Sequence, residues 1–545
     1  MLRPHQKGFA MTSSDLPIGW RAVARRAALG MVLGAAALVT AGPAHADDWP
    51  MFGQNLQNTA AAGKSASKIQ ASKLAPKWVF TAKGEISARA AVVNGVVYVP
   101  DWGGYLWALN AASGAVIWSH ALTDYGLPAP TNSRTSPAVV DGVVYLGTQE
   151  GAWLLAVDAA TGNLRWKTQL ESPANDPFAV VTASPSVAGG VVYTGVASLE
   201  EGVAANPAYP CCRARGSVVA VNASTGAKLW QTYMVPAGYS GGGVWGSNLV
   251  IDTKRQSVFA STGNNYSVPA DPAYRACVAA GGSAASCQSP ANHVDAVLAL
   301  DMATGAIKWS TKAVAWNQPG VVNGSDNWNV ACLVGFAAGT GNCPVAAGPD
   351  YDFASAPNLI SFHDKDSGKS KTILGAGQKS GIYFALDPDT GAILWQTQVG
   401  PGSALGGMEW GSASDGKRIY VSIANLYGIP TNVGGAGSWS ALDPATGQIL
   451  WQVGDPNGAI TVGPLTVADD VVFASSMAGA PGAPTMLALD AKTGQTLWTH
   501  AAGSSVNAGP AVSNGMLFWG SGYAHLGIPG YTTNNKFFAF SDKGK

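Results

Sequence analysis

Seven segments of this chain spell nearly the same phrase, and that repetition constrains the fold before any single residue does. They are "YLWALNAASGAVIWS" (105–119), "WLLAVDAATGNLRWK" (153–167), "SVVAVNASTGAKLWQ" (217–231), "AVLALDMATGAIKWS" (296–310), "IYFALDPDTGAILWQ" (382–396), "SWSALDPATGQILWQ" (438–452) and "TMLALDAKTGQTLWT" (485–499). Each joins a short apolar run to an Asp or Asn, a Thr-Gly or Ser-Gly step, and a tryptophan four residues past the glycine. The run alternates too weakly for a helix and favours β-branched and aromatic residues, so each phrase reads as two strands and a turn. In the copy at 153–167, Asp158 can accept backbone hydrogen bonds across the turn and Gly162 supplies the positive φ it needs. Trp166 ends the outer strand, where an indole can wedge between neighbouring sheets and bury a large area.

A hairpin precedes each phrase. The series is "AVVNGVVYV", "AVVDGVVYL", "SVAGGVVYT", "LVIDTKRQSVFA", "LISFHDKDSGKSKTIL", "SASDGKRIYV", "LTVADDVVFA" and "AVSNGMLFW". Asn-Gly and Asp-Gly steps between apolar runs are strong hairpin signals. That makes eight hairpins against seven complete phrases. The last hairpin leads only to "KFFAF" (536–540), while "KLAPKWVF" (73–80) offers Trp78 with no hairpin before it. An N-terminal strand closing the last sheet reconciles the two ends. The expected fold is therefore all-β, an eight-bladed propeller with docking tryptophans, spanning residues 73–545 after an arm at 47–72.

The first residues read as an export signal. "WRAVARR" (20–26) is basic, "AALGMVLGAAALV" (27–39) is apolar and "AHA" (44–46) is a small-residue cleavage site, so residues 1–46 are expected to be removed. The apolar run is too short to span a membrane comfortably, and no membrane span is expected in the mature chain. A periplasmic or secreted location follows. Six cysteines agree with it: Cys277/Cys287 and Cys332/Cys343 each close a short loop and are expected to be disulfides. Cys211 and Cys212 are adjacent, and in an oxidising compartment a ring between them is favoured over two free thiols. The 32 basic residues balance the 32 acidic ones, so no basic field exists to hold nucleic acid.

The usual catalytic motifs are missing. There is no HExxH and no GxSxG, and "GAGQKSG" (375–381) lies at a hairpin, where it cannot serve as a dinucleotide loop. Without CxxCH, this chain carries no covalently attached haem. Spacing is more informative. The intervals Trp230–Trp309 and Trp309–Trp395 far exceed Trp118–Trp166, and the excess holds both loop-closing cysteine pairs and much of the polar sequence. Long insertions on a rigid scaffold are where chemistry tends to sit.

The A-x-D-x-x-T-G-x-x-x-W phrase resembles the docking motif of pyrroloquinoline quinone (PQQ) dehydrogenases. "DDWPMFGQNLQNT" (47–59), "PDWGGYLWALN" (100–110), "CCRARGSVVAVNASTG" (211–226) and "GPDYDFASAP" (348–357) resemble polyvinyl alcohol dehydrogenases in particular. The resemblance covers the chain from about Asp47 onward. In "GGGVWGSNLVIDTKRQSVFASTGNNYS" (241–267) it implies that Trp245 stacks on the quinone and Asn264 binds calcium. In "TGVASLEEG" (194–202) it implies Glu200 as the calcium carboxylate, with Glu201 as the alternative one residue on. Arg134 falls where the family pairs an arginine with a cofactor carboxylate, and Thr182 where a threonine touches the cofactor.

The resemblance also makes Asp352 the catalytic base and a metal ligand, with Asp350 as its rival. Tyr351 stands where relatives have tryptophan, and Ala354 where lanthanide-dependent members have a second aspartate, which points to Ca²⁺. Lys379 sits where relatives place a basic residue beside the quinone oxygens. Three departures stand out. The Cys211-Cys212 pair, expected to cover the quinone opposite Trp245, comes one blade later than in the family's alcohol dehydrogenases; Ser87 replaces a glutamate, and Glu409 an asparagine before tryptophan.

Together these residues lead to the expectation of an exported PQQ- and Ca²⁺-dependent dehydrogenase. It would oxidise secondary hydroxyls, such as those of polyvinyl alcohol, to ketones and pass electrons to a separate cytochrome c or similar acceptor. The alternatives are a cofactor-free propeller that binds proteins or polymer through its rim, and a PQQ enzyme for another alcohol or a sugar.

Overall fold

The Asn94-Gly95, Asp141-Gly142 and Asn514-Gly515 steps all hold positive φ at both residues, the geometry that lets a two-residue turn follow the twist of its strands. Each such hairpin opens a sheet. The computed structural model describes residues 48–63, 69–206, 208–246, 248–313, 332, 342–344, 348–525 and 530–545, so the expected signal peptide lies outside them.

Eight antiparallel sheets form, with strands in chain order across the first seven: an eight-bladed propeller, as expected. Blade 1 is Ala91–Val93, Val96–Pro100, Tyr105–Asn110 and Val116–Ala121. The pattern repeats through blade 7, which ends in Thr496–His500. Blade 3 alone gains a fifth strand, Ala179–Val180, paired to the end of Val191–Ser198. Blade 8 takes its outer strand from the other end of the chain. Leu74–Thr81 pairs with Lys536–Asp542 from Leu74↔Asp542 to Thr81↔Lys536, which locks the ring shut.

The repeated phrase joins blades as well as strands. Its alanine lies opposite its tryptophan, as in Ala156↔Trp166 and Ala299↔Trp309, and the register slips immediately beyond. Each indole then donates to a main-chain carbonyl of the next blade's turn: Trp118 to Ala159 at 3.0 Å, Trp166 to Ala223 at 2.9 Å, Trp230 to Met302 at 3.0 Å. Trp498 reaches Leu74 and Trp78 reaches Ala111, so the chain of bonds crosses the closure. The turn glycine serves twice. Gly226 holds a φ of +74°, and a Cβ there would stand 2.8 Å from the Trp166 ring, so glycine is required by backbone and by neighbour.

The arm has a structural role that its sequence did not announce. Residues 49–62 lie across the hub and bond to the first strands of six blades. Trp49 exchanges bonds of 2.7 and 2.8 Å with Val92, Pro50 accepts from Val139, and Leu56, Gln57 and Thr59 accept from Ile251, Leu359 and Ser414. Ala60 and Ala62 pair with Val467. Arg89 fastens the arm from within: it donates to Phe52 O at 2.7 Å and Leu465 O at 2.8 Å, with the Phe52 ring 4.7 Å away. Burial pulls this guanidinium down to about 9.

Candidate active site

In an antiparallel blade the start of the first strand and the end of the second lie at the same end of the sheet. Loops at these positions in successive blades therefore converge at one end of the hub, and they enclose a cavity of 410 Å³. Blade 2 supplies Arg134, blade 3 Thr182 and Glu201, blade 4 Trp245 and Tyr266, blade 5 Asp350 and Lys379, and the approach to blade 6 Glu409 and Trp410.

Lys379 is the centre of the polar wall. Its ammonium lies 2.7 Å from Asp352 Oδ1, 3.4 Å from Asp350 Oδ2 and 5.2 Å from the centre of the Trp245 ring. Trp245 Nε1 donates to Asp352 Oδ2 at 2.9 Å, and Thr182 Oγ1 donates to the Trp245 carbonyl at 3.1 Å. Asn264 Nδ2 donates to Asp350 Oδ1. Gly263 makes room for the Trp245–Asp352 bond, since a Cβ there would meet Asp352 Oδ2 at 2.8 Å and Trp245 Nε1 at 3.2 Å. Five expected site residues, Thr182, Trp245, Asn264, Asp352 and Lys379, are thus bound into one network.

Burial sets the electrostatics. It would lower Lys379, but Asp350, Asp352 and Glu409 outweigh it and hold the ammonium charged well above its ordinary value. Burial also drives Asp350 well above the carboxylate range, against the pull of Lys379 and with the push of Asp352 and Glu201. Glu201 and Glu409 are both pushed up to about 7 by burial, with Lys379 opposing. Across the cavity, the Arg134 guanidinium lies 4.3 Å from the Trp410 ring, and Trp410 meets Trp245 edge-on at 5.5 Å. Arg134 reaches Tyr523 OH at 3.5 Å, while its buried Nε has no hydrogen-bond partner among the described residues.

Three expectations meet a different geometry. Glu200 does not reach the cavity: its carboxylate accepts from Tyr209 OH at 2.7 Å and from the amides of Arg213 and Ala214 at 2.8 and 2.6 Å. It opens the helical turn Glu200–Val203, and one step of that turn rotates Glu201 onto the cavity wall instead. The Cys211-Cys212 ring forms, as do Cys277–Cys287 and Cys332–Cys343. It does not line the cavity, because the next two residues tie that segment to Glu200. Asp350 lines the cavity and Asp352 does not, although both carboxylates are almost fully buried.

Sequence reasoning gave no role to Trp102, Tyr266, Tyr523 or His525, all of which line the cavity. Trp102 and Tyr266 lie within segments that carried the family resemblance, whereas nothing local singles out Tyr523 or His525. Ser87 accepts from Trp102 Nε1 at 2.8 Å, so the residue at a departure from the family pattern holds a cavity wall in place.

A polyvinylalcohol dehydrogenase from Pseudomonas sp. is 29% identical to this chain, over 92% of it and 78% of the relative. Another from Sphingopyxis sp. strain 113P3 is 28% identical, over 87% and 73%. Among solved structures, the quinohemoprotein alcohol dehydrogenase ADHIIG from Pseudomonas putida HK5 shares the fold, with a TM-score of 0.67 at 18% identity over 92% of this chain and 81% of that one. Residues 20–260 and 435–541 match the repeats of one family, PQQ_2, described as outer membrane protein assembly factor BamB, and the chain belongs to that family.

Proposed function

We propose that this protein is an exported, PQQ- and Ca²⁺-dependent alcohol dehydrogenase that oxidises secondary hydroxyls, polyvinyl alcohol among them, to ketones and delivers electrons to a separate cytochrome c or similar acceptor. The observation that carries this reading is the network of Thr182, Trp245, Asn264, Asp350, Asp352 and Lys379, assembled from three blades against one cavity. A propeller that only scaffolds other proteins has no use for such a buried cluster of charge.

The residues suit both groups. Arg134, with a buried Nε left over, fits a carboxylated ring, and the indole of Trp245 fits a flat one. Among the described residues no three acidic, His or Cys side chains complete a metal site alone. A hard cation would take oxygen from Asp352, from the Asn264 amide and from Glu201 in place of Glu200, with the remainder supplied by the cofactor. Bound there, PQQ would supply a two-electron acceptor and Ca²⁺ a Lewis acid.

The side chains then have separate tasks. Asp352 takes the hydroxyl proton, with its carboxylate oriented by Trp245 Nε1 and Lys379. Lys379 places positive charge where negative charge develops during oxidation. Trp102, Trp245 and Trp410 exclude water from the cavity. Asp350 is the second reading for the base, favoured by its place on the cavity wall.

The test is reconstitution with PQQ and Ca²⁺, followed by dye reduction with polyvinyl alcohol and small secondary alcohols. Loss of turnover in Asp352→Asn but not Asp350→Asn assigns the base to Asp352, and the reverse moves it to Asp350. No dye reduction by any alcohol ends the dehydrogenase reading.

A further inference from the structure

The cavity does not end at a solid wall. Trp102 and His525, whose rings lie 3.9 Å apart, also line a second depression of 570 Å³. That depression is open to solvent and is bordered by Gly84, Gly103, Thr533, Asn534 and Asn535. The two hollows adjoin at these two rings, which line both.

The two rings are anchored unevenly. Trp102 is fixed at both ends: its amide donates to Glu85 O at 2.9 Å and its indole to Ser87 at 2.8 Å. The turn that carries it is pinned by Asp101, fully buried, which accepts from Lys83 N at 2.9 Å and Trp107 Nε1 at 2.8 Å. The backbones of Gly84 and Gly103 pack so closely that a Cβ on Gly84 would stand 2.2 Å from Gly103 N. His525 lies over this rigid indole with its side chain 48% exposed, and Glu85 Oε2 is 3.5 Å from its Nδ1. The pair is thus a firm aromatic step with a solvent-facing rim.

Resting on the dehydrogenase reading above, we propose that the depression beside Trp102 and His525 is a binding subsite for the flanking units of a polyhydroxylated chain whose reacting hydroxyl sits in the cavity. An internal hydroxyl of a polymer carries chain on both sides, so its site needs space beyond the reacting unit; a small alcohol does not. The chemistry matches: methylenes pack against Trp102, and hydroxyls meet the polar rim of Thr533 and the side-chain oxygen of Asn535, with Lys83 and Glu85 beside them.

Two variants test this in the reconstituted protein. Thr533→Trp fills the depression from an exposed position outside the cavity. Trp102→Ala removes the aromatic step. Both are expected to raise KM for polyvinyl alcohol about tenfold, Trp102→Ala by losing one aromatic contact and Thr533→Trp by blocking the flanking units. Thr533→Trp should leave kcat and KM for 2-butanol within about twofold of wild type. An unchanged polymer KM in both variants, or equal losses on polymer and 2-butanol in Thr533→Trp, overturns the subsite. Affinity electrophoresis of the same proteins through gels containing polyvinyl alcohol gives a readout independent of turnover. Wild type should be retarded and Thr533→Trp should not. Retardation of wild type with no alcohol oxidised leaves the subsite standing and sinks only the enzyme reading. Equal mobility of wild type and Thr533→Trp in those gels sinks the subsite.

Discussion

Two glycines with nearly the same backbone allow the docking turn to be tested cleanly. Gly226 and Gly142 hold φ of +74° and +73°, so alanine at either meets the same left-handed penalty of about 1–2 kcal/mol. Their surroundings differ. Gly142 has nothing within 4 Å of an added Cβ, whereas Gly226 would put that carbon 2.8 Å from two atoms of Trp166 and 2.9 Å from Thr168 Oγ1. Trp166 has little room to retreat, since its indole is bonded to Ala223 O at 2.9 Å. Overpacking of this kind adds about 1–3 kcal/mol, so Gly226→Ala should cost about 2–5 kcal/mol against about 1–2 for Gly142→Ala. Urea denaturation followed by tryptophan fluorescence and far-ultraviolet circular dichroism measures both. In a Trp166→Leu background the excess at Gly226 should shrink, because the ring that it strikes is gone. Equal costs for the two glycine variants, or an excess that survives Trp166→Leu, would show that the indole face does not dictate glycine in the repeat.

Three further outcomes are expected. Lys379→Met leaves Asp350 and Asp352 without their buried counter-charge and should cost about 3–5 kcal/mol in thermal melts of the apoprotein, with part recovered by Asp350→Asn. Arg134→Gln removes the cavity cation that stacks on Trp410 and should weaken PQQ binding by about tenfold or more in equilibrium dialysis, with little change in Tm. Asp176 is pushed up to about 6 by burial, partly offset by bonds from Phe178 N and Ser198, with Glu200 and Glu171 adding to the rise. The folded state therefore holds this proton more tightly than the unfolded one, so its stabilising effect is lost as pH rises from about 4 through 6. Asp176→Asn should match wild type near pH 4 and exceed it by up to about 3 kcal/mol at pH 7.5 in urea midpoints.

The propeller was legible because each phrase must spend its tryptophan on the next sheet, and the leftover strands at the two ends of the chain could only complete one another. Trp245, Asn264 and Lys379 were legible through family-like spacing within single blades. Which of Glu200 and Glu201 faces the cavity was harder to read, since two adjacent glutamates on one helical turn differ only by a rotation that sequence does not display. The arm across the hub was not legible for a different reason. Most of its bonds run between main-chain groups, such as Gln57 O to Leu359 N and Thr59 O to Ser414 N, and every residue has those. Tyr523 and His525 reach the cavity from blade 8, far along the chain from Trp245, and only ring closure brings them near.

The arm across the hub also decides how traffic moves. Phe52 lies beneath the cavity, where it shares with Arg134, Thr182 and Trp410 a residual void of only about 30 Å³. Among the described residues, then, the reaction chamber is a cul-de-sac. Under the proposed chemistry, alcohol and product must therefore pass through the same open end of the cavity, one after the other. That one-ended access originates in a few N-terminal residues that close the hub beneath the cavity and line no part of it.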